Sequence, residues 1–345
     1  MDSADVLYFA HIPKTAGTSV TAALDAEFVA GAILPASFST DLEAARPEYA
    51  RARLARGHLG AGVHELLGRS GPTFTLLRSP LERTLSHIAQ VQRHPFHPLH
   101  DYVVECGHDV AGFVRDPLLR PYVTNFQARH LVHQAGAAAD VPPELIPPGH
   151  PAHGQVAFEM AAADDDAELL ATASRALAAT TVVGTTDDVD GALQRLATAL
   201  GWRRVPRAER RNATPDPIDP AAIDAGIRDE ILTLNRVDAA LYDLARKPPA
   251  PTPPLTWAWH PWRTTYDDAG WEPAEFDEHH GWYRRIGPSG EARAVLDGPD
   301  GIDRSLSPEI ELVEPSDVAL ALDASAEAVV VCGRAGLAVK AVHVR

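Results

Sequence analysis

Residues 11–19, with the sequence HIPKTAGTS, combine residue types that bind phosphate groups. They lie between a short apolar run and a helical pattern, and a helix N-terminus offers unpaired N–H donors and the positive end of the helix dipole. Gly17 lets the backbone approach an anion closely, and Lys14 adds a flexible point charge. Because the glycine follows the lysine, the order differs from the Walker loop and disfavours an ATP-hydrolysing site. The residues predicted to contact the phosphate group are Pro13, Lys14, Thr15, Ala16, Gly17, Thr18 and Ser19.

Lysine is rare in this chain, which draws attention to the loop. Of the 31 Lys and Arg residues, three are Lys (Lys14, Lys247 and Lys340), which leaves 28 Arg. A protein this rich in arginine would ordinarily place Arg at a surface position, so a lysine here favours a specific role. The alternative interpretation is a helix-capping loop with an incidental surface lysine, because short motifs also occur by chance.

Residues 11–19 and a second segment, residues 75–87 (TLLRSPLERTLSH), resemble the two phosphate-binding motifs of sulfotransferases that use 3′-phosphoadenosine 5′-phosphosulfate (PAPS). The resemblance is to the carbohydrate branch, which contains heparan sulfate 2-O-sulfotransferases and many bacterial relatives. It implies that the loop binds the 5′-phosphosulfate and that Arg78 and Ser86 hold the 3′-phosphate; an arginine fork suits a phosphate group. Ser79 stands where the family usually has Asp. The alternative for these two residues is a helix-start ion pair and a surface hydroxyl.

The resemblance also implies a reaction, the transfer of an SO₃ group from PAPS to an acceptor hydroxyl. Lys14 would neutralise charge on the leaving phosphate, and a base would remove the acceptor proton. Residues 56–60, RGHLG, resemble the Gly-His segment that supplies the base in the heparan 2-O branch, so His58 is the candidate base. His11 is the second choice, and Glu65 is a weaker carboxylate option. The alternative is that His58 only caps or packs within its loop.

Other clusters of polar residues are weaker candidates. His94, His97 and His100 have a spacing that suggests a metal site, but intervening prolines break helical spacing, and we predict no metal and an acceptor-binding loop. The pair at residues 279–280 receives the same interpretation. The arginine run at residues 203–211 is typical of a solvated face, with an auxiliary contact to PAPS or an anionic acceptor as the alternative.

Three apolar runs, each followed by a helical pattern, predict the elements that position these residues. The runs are residues 6–10, 74–77 and 181–184. Strand-then-helix units predict an α/β protein with a parallel sheet flanked by helices, and the resemblance implies the P-loop-like sulfotransferase fold. Residues 219–247 carry apolar residues at spacings of three, four and seven and predict one long amphipathic helix.

A proline-rich segment, residues 248–254, predicts a linker between two domains. Beyond it, short alternating or Val-rich runs predict a small antiparallel β domain, with a sandwich as the best guess. Five of the six tryptophans follow the linker, which favours a packed core over a carbohydrate- or partner-binding surface. The predicted divisions are a sulfotransferase domain at 1–247, the linker at 248–254 and a β-rich accessory domain at 255–345.

Composition excludes several classes of protein. The net charge of −16 argues against a nucleic-acid clamp, which needs a basic surface. No apolar run approaches the ~20 residues of a membrane-spanning helix, and the polar N-terminus lacks the pattern of a secretory signal. The two cysteines do not form a disulfide framework. We therefore expect a cytoplasmic protein with neither a membrane span nor nucleic-acid partners.

The sequence thus predicts a PAPS-dependent sulfotransferase whose acceptor is a hydroxyl of a glycan or of a glycosylated or small molecule. Two rivals remain at this point. A nucleotide-dependent kinase of a small molecule would depend on ATP and Mg²⁺, and a binding protein on a sulfotransferase scaffold would bind nucleotide without turnover.

Overall fold

The computed structural model describes residues 5–134, 139–161, 165–209, 217–248, 257–264, 269–279, 281–296, 308–322 and 328–344. Up to residue 248 the described chain forms four strands: β1 (Leu7–Ala10), β2 (Leu54–Gly57), β3 (Thr73–Leu77) and β4 (Val182–Thr185). Its helices are α1 (Gly17–Asp25), α2 (Val63–Leu67), α3 (Pro80–Arg93), α4 (His100–Glu105), α5 (Val110–Arg115), α6 (Phe126–Val132), α7 (His153–Met160), α8 (Asp166–Ala179), α9 (Val189–Leu200), α10 (Ala225–Leu234) and α11 (Arg236–Ala245).

The first four strands form one parallel sheet in the order β2-β1-β3-β4. Phe9 of β1 lies opposite Phe74 of β3. Phe9 belongs to the apolar core on one face of the sheet and Tyr8 to the core on the other. Central strands covered on both faces are typical of parallel sheets flanked by helices. The predicted α/β architecture and its three predicted strands are therefore confirmed.

Strand β2, at the edge beside β1, does not follow from the sequence patterns. Its residues, LARG, include Ala, Arg and Gly, which have low strand propensity. The strand is defined by pairing along its whole length with β1, and Arg56 forms an ion pair with Asp25 at the end of α1 (Nε–Oδ1 2.8 Å). These are long-range contacts, which local periodicity cannot indicate. Their consequence is that His58 follows a strand of the same sheet.

The prediction of one helix over residues 219–247 is wrong. The structure has α10 and α11, separated at Asn235. Asn235 is buried, and its side-chain amide donates to the Ile231 carbonyl (2.8 Å), taking over a backbone acceptor where the helix ends. The apolar spacing continues across this break, which explains why periodicity alone predicts a single helix.

After residue 256, the described chain is antiparallel β structure. Its strands are β5 (Trp257–Trp259), β6 (Glu275–Asp277), β7 (Gly281–Arg285), β8 (Glu291–Val295), β9 (Pro308–Leu312), β10 (Ala319–Leu322), β11 (Ala328–Cys332) and β12 (Ala338–Val344). They form a three-stranded sheet, β10-β11-β8, and a five-stranded sheet, β5-β12-β7-β6, in which β9 also pairs with β12. Both sheets contribute side chains to one apolar core, as in a two-layered β structure. The predicted antiparallel character is confirmed.

The C-terminal β structure packs on the parallel-sheet region through tryptophans. Trp262 is 1% exposed and stacks on Phe28, with ring centroids 5.3 Å apart. Its carbonyl accepts the N–H of Val29 (3.0 Å), and the indole N–H of Trp282 donates to the Arg51 carbonyl (2.7 Å). Both tryptophans therefore fill a core shared with α1 and α9. Residues 249–254 of the predicted linker lie outside the described residues, so the domain division stays a prediction.

This shared core predicts a stability effect of Trp262→Ala. Removing a buried Trp typically costs about 3–5 kcal/mol, and at about 2–4 °C per kcal/mol the unfolding temperature should fall by roughly 6–20 °C. Trp271→Ala is the control, because among the described residues Trp271 packs in the C-terminal core, on Trp259, and is not part of the shared core. Calorimetry should show that Trp262→Ala lowers the unfolding transition of the parallel-sheet region. An unchanged transition there would contradict a shared core.

The longest of these helices, α3 and α8, have 14 residues each. A span of the bilayer core needs about 20 apolar residues. Among the described residues, no helix has both the length and the apolar character to cross a membrane.

Candidate active site

The predicted site residues lie at the carboxyl edge of the parallel sheet. Strands β2 and β3 flank β1 on opposite sides, so the direction of strand addition reverses at β1. In open α/β sheets, ligands bind beyond the carboxyl ends of strands beside such a switch point. Residues 11–16 follow β1, His58 follows β2 and Arg78 follows β3. The sheet thus brings the predicted phosphate loop, base and 3′-phosphate arginine to one edge.

The loop after β1 is tightly turned. Lys14 and Ala16 have left-handed backbones (φ 74° and 63°), which non-glycine residues adopt only at a cost. The Thr15 hydroxyl donates to the Ile12 carbonyl (2.8 Å) and closes the turn from within. Thr15, between Lys14 and Ala16, does not have a positive φ. Turns that contain left-handed residues can form the concave set of N–H groups called an anion-binding nest.

Backbone donors remain unpaired in this turn. The N–H groups of Lys14, Thr15, Ala16 and Gly17 donate to no other described residue, whereas Val20 donates to the Ala16 carbonyl (3.3 Å) as α1 begins. Helix α1 has nine residues and carries no acidic side chain in its first turn. Free N–H groups and a helix dipole without a local carboxylate favour binding of an anion.

Lys14 is half-buried among cations. Its pKa is lowered to about 8, first by burial and then by the neighbouring charges of Arg83, Arg78 and Arg93, in that order. Like charges are held together here at an electrostatic cost. A bound polyanion would remove that cost, so the electrostatics of the site favour a multiply charged anionic ligand.

The backbone of Arg78 is fixed from α6. The Gln127 side chain accepts the Arg78 N–H and donates to its carbonyl, each at 2.8 Å. The guanidinium contacts the Lys14 carbonyl (Nη1–O 3.4 Å) and forms a partly exposed ion pair with Glu82 (3.3 Å). The structure therefore brings Arg78 next to the phosphate loop, and the helix-start ion pair that the sequence offered as an alternative is also present.

Ser86 is half-buried on α3, two turns beyond Arg78. No hydrogen bond joins Ser86 to Arg78 or Lys14 in the described chain. Ser86 shares a helix face with Arg83, three residues earlier, and Arg83 contacts the phosphate loop through the Pro13 carbonyl (3.4 Å). Ser86 therefore lies on the same face of α3 as Arg83, and its role in binding phosphate stays a prediction.

His58 has a defined tautomer. Burial lowers its pKa to about 4, so the imidazole is neutral near pH 7. Its Nδ1 lies 2.7 Å from the His11 carbonyl and must donate the ring proton there, which leaves the lone pair on Nε2. No hydrogen bond from a described residue occupies Nε2. A neutral ring with this lone pair can accept a proton.

His11 lies between His58 and the predicted phosphate loop. Its ring stacks on Phe9 (centroids 5.5 Å apart) and lies 4.3 Å from the His58 ring. Burial lowers its pKa well below the usual range, and the neighbouring His58 lowers it further. A Cβ at Gly17 would lie 1.6 Å from His11 Nε2, so only glycine fits beneath this ring. Gly17 therefore has a packing role besides the predicted approach to phosphate.

The remaining candidates are exposed or form hydrogen bonds with the backbone. Glu65 is exposed on α2, near Gly62. His97 accepts the Leu99 N–H through Nδ1 (3.2 Å), and His100 Nδ1 bonds the Val91 carbonyl (2.7 Å). Within the described ranges, no three His, Cys, Asp or Glu side chains are arranged to hold a metal ion. His280 lies outside the described residues.

One arginine of the basic run pairs with an acid away from the phosphate loop. Arg204 lies 3.5 Å from the carboxylate of Glu27, which is 1% exposed and also 3.4 Å from Arg263 of the C-terminal β structure. Arg210 and Arg211 lie outside the described residues. Arg204 thus joins a partly buried ion-pair network with Glu27 and Arg263.

The sequence did not indicate a set of supporting residues behind the site. Asp238 on α11 accepts the N–H groups of Gln127 (3.0 Å) and Ala128 (2.8 Å) and so fixes the start of α6. Gln127 then fixes Arg78. The signal that marks these two residues, a buried carboxylate that accepts the N–H groups at a helix N-terminus, exists only in three dimensions.

Comparison with known proteins adds no relative. No protein-family model matches the chain. No curated protein matches it significantly.

Proposed function

We propose that this chain is a PAPS-dependent sulfotransferase that transfers a sulfuryl group to a hydroxyl of a glycan, a glycosylated compound or another small molecule. The observation that carries the proposal is the juxtaposition of two groups across His11. On one side is Lys14, in a loop with free N–H donors; on the other is His58, whose neutral ring is held by the His11 carbonyl. A cationic loop beside a neutral base suits transfer from an anionic donor to a hydroxyl.

In the proposed reaction, the acceptor oxygen attacks sulfur in line with the bridging oxygen of the 5′-phosphosulfate. The S–O bond to the phosphate breaks, and its electron pair stays on the phosphate of 3′,5′-phosphoadenosine. Lys14 and the loop N–H groups stabilise that charge. The acceptor proton passes to His58 Nε2. Arg78 lies beside the loop to pair with the 3′-phosphate.

Replacement of His58 separates binding from turnover. His58→Ala should bind 3′,5′-phosphoadenosine within about threefold of wild type and lose on the order of 10²-fold or more in turnover, since general-base help is typically 10²–10⁴-fold. His64→Ala is the matched control, because its ring bonds the Val6 carbonyl on another part of the sheet. Turnover is measured as the release of 3′,5′-phosphoadenosine from PAPS in the presence of a metal chelator, with a panel of hydroxyl acceptors.

Two outcomes would contradict the proposal. Turnover of ATP with Mg²⁺ and none of PAPS would identify a kinase. Binding of PAPS without release of product for any acceptor would favour a non-catalytic binding protein. Full turnover by His58→Ala would leave the sulfotransferase assignment standing and move the base to His11 or Glu65.

A further inference from the structure

Arg83 is a buried cation that joins three elements around the phosphate loop. It is 1% exposed on α3. Its Nε donates to the Pro13 carbonyl (3.4 Å), and its Nη1 donates to the Tyr122 carbonyl (2.5 Å). The guanidinium lies 3.5 Å above the ring centroid of Phe126. Burying a guanidinium so completely costs free energy unless its N–H groups form hydrogen bonds.

The contact with Pro13 acts directly on Lys14. Lys14 follows Pro13 and holds the left-handed backbone with φ 74°. Arg83 binds the Pro13 carbonyl, and Arg78 contacts the next carbonyl, that of Lys14 (3.4 Å). In a planar trans peptide the carbonyl and the following N–H point in opposite directions. Holding both carbonyls on the guanidinium side therefore turns the N–H groups of Lys14 and Thr15 to the other side.

Arg83 also sets the charge environment of the lysine. Among the charged neighbours that lower the pKa of Lys14, Arg83 has the largest effect after burial. The pKa of Arg83 is itself lowered by burial to about 9, and the nearby carboxylates of Asp238 and Glu159 oppose that shift. The positive charge of the Arg83 guanidinium is thus partly compensated by the carboxylates of Asp238 and Glu159, while the same guanidinium contacts the loop.

We infer that Arg83 is a positioning residue of the phosphate loop, which holds the Pro13 carbonyl so that Lys14 keeps its left-handed backbone and the loop N–H groups stay free for an anion. The inference rests on the proposed function only for the identity of that anion. Arg83 acts through Lys14 and the loop, not on substrate. It differs in this from Arg78, whose exposed face is available to a ligand.

The low number of lysines makes the role of Arg83 testable through the reactivity of Lys14. With three lysines, acylation of Lys14 can be followed by peptide mass spectrometry beside Lys247 and Lys340 as internal references. In wild type the reactivity of Lys14 should rise with a midpoint near pH 8. A bound anion raises the pKa of Lys14, so the affinity for 3′,5′-phosphoadenosine should be full below pH 8 and fall about tenfold between pH 7 and pH 9.

Two variants separate charge from geometry. Arg83→Gln removes both, so the affinity at pH 7 should fall at least tenfold and the Lys14 midpoint should move upward. Arg83→Lys keeps the charge but loses the forked donor, so the affinity should fall while the midpoint stays near pH 8. Arg175→Gln is the control and should change neither value, because Arg175 is exposed on α8 and its one hydrogen bond to a described residue is to Thr172.

The outcomes are distinguishable from failure of the proposed function. If wild type does not bind 3′,5′-phosphoadenosine, the proposed function fails, and the Lys14 midpoints still test the role of Arg83. A folded Arg83→Gln with unchanged midpoint and affinity would overturn the inference. If Arg83→Gln does not fold, Arg83→Lys decides: wild-type affinity for 3′,5′-phosphoadenosine in that variant would overturn the role of the forked donor.

Discussion

Lys14→Ala is expected to lower sulfuryl transfer by about 10²–10³-fold and to weaken binding of 3′,5′-phosphoadenosine by roughly 10–100-fold. A single donor aimed at developing charge is typically worth 10²–10³ in rate, and a charge-assisted hydrogen bond is worth about 1.5–3 kcal/mol. Lys14 is half-buried and near three arginines, so water screens its ammonium less than that of an exposed lysine. Transfer is measured by product release from PAPS, and binding by calorimetry at pH 7.

Two further variants define the effect of Lys14. Lys247→Ala is the matched control, since this exposed lysine at the end of α11 lies outside the site. Lys14→Arg keeps a cation that stays charged to high pH, so its affinity for 3′,5′-phosphoadenosine should not fall between pH 7 and pH 9 as that of wild type does. Wild-type transfer by Lys14→Ala would remove the central role of this lysine.

The protein is expected to unfold on mild acidification. Burial is the largest cause that lowers the pKa of seven histidines: His11, His58, His87, His97, His130, His133 and His260. For His58, His97 and His133 the folded-state pKa is about 4, against about 6.5 in the unfolded chain. The stability from these neutral rings is present above pH 6.5 and is lost as pH falls from 6.5 towards 4.

The expected magnitude is large compared with the stability of a typical protein. Each fully buried ring, as at His87, His130 and His260, costs about 1 kcal/mol over the first pH unit below 6.5, and each half-buried ring costs less. The sum is on the order of 5 kcal/mol, against a typical total of about 5–15 kcal/mol. Asp238 and Glu159 act in the opposite direction, because burial raises their pKa values, but they are two groups against seven.

His87→Phe tests the acid effect at one position. His87 stacks on Tyr122 and meets Phe113 edge-on, and neither ring nitrogen has a partner in the described chain. Phenylalanine keeps the ring and removes the proton, so the pH dependence of the free energy of unfolding should weaken by up to about 1.4 kcal/mol per pH unit below pH 6. His94→Phe, at an exposed position, is the control. If the free energy of unfolding of the wild type, measured in urea, does not change between pH 7 and pH 5.5, the account is contradicted.

The sequence predicts the parts of the fold that depend on local patterns of residues. Strands β1, β3 and β4 are apolar runs before helical patterns, and the helix α9 ends at Gly201 in a left-handed conformation (φ 68°), as its glycine indicates. Strand β2 depends on pairing with β1, so its own residues give no signal. The break at Asn235 likewise depends on tertiary contacts, because its apolar periodicity runs through both helices.

The candidate site divides in the same way. The loop around Lys14 follows from local spacing, since strand, turn and helix are contiguous there. The supporting contacts of Arg83, Gln127 and Asp238 link residues 39–111 positions apart, and no local pattern reveals such contacts. The tautomer of His58 is similar, because its partner is a backbone carbonyl 47 residues away.

The most direct test of the central claim is calorimetric binding of 3′,5′-phosphoadenosine and of ADP to the wild-type chain, at equal ionic strength and without divalent metal. The two nucleotides carry the same base and two phosphate groups each, and differ in whether one phosphate is on the 3′ position. A site in which Arg78 pairs with a 3′-phosphate while Lys14 holds the 5′-phosphate should bind 3′,5′-phosphoadenosine at least tenfold more tightly. Equal affinity, or a preference for ADP, would contradict the account.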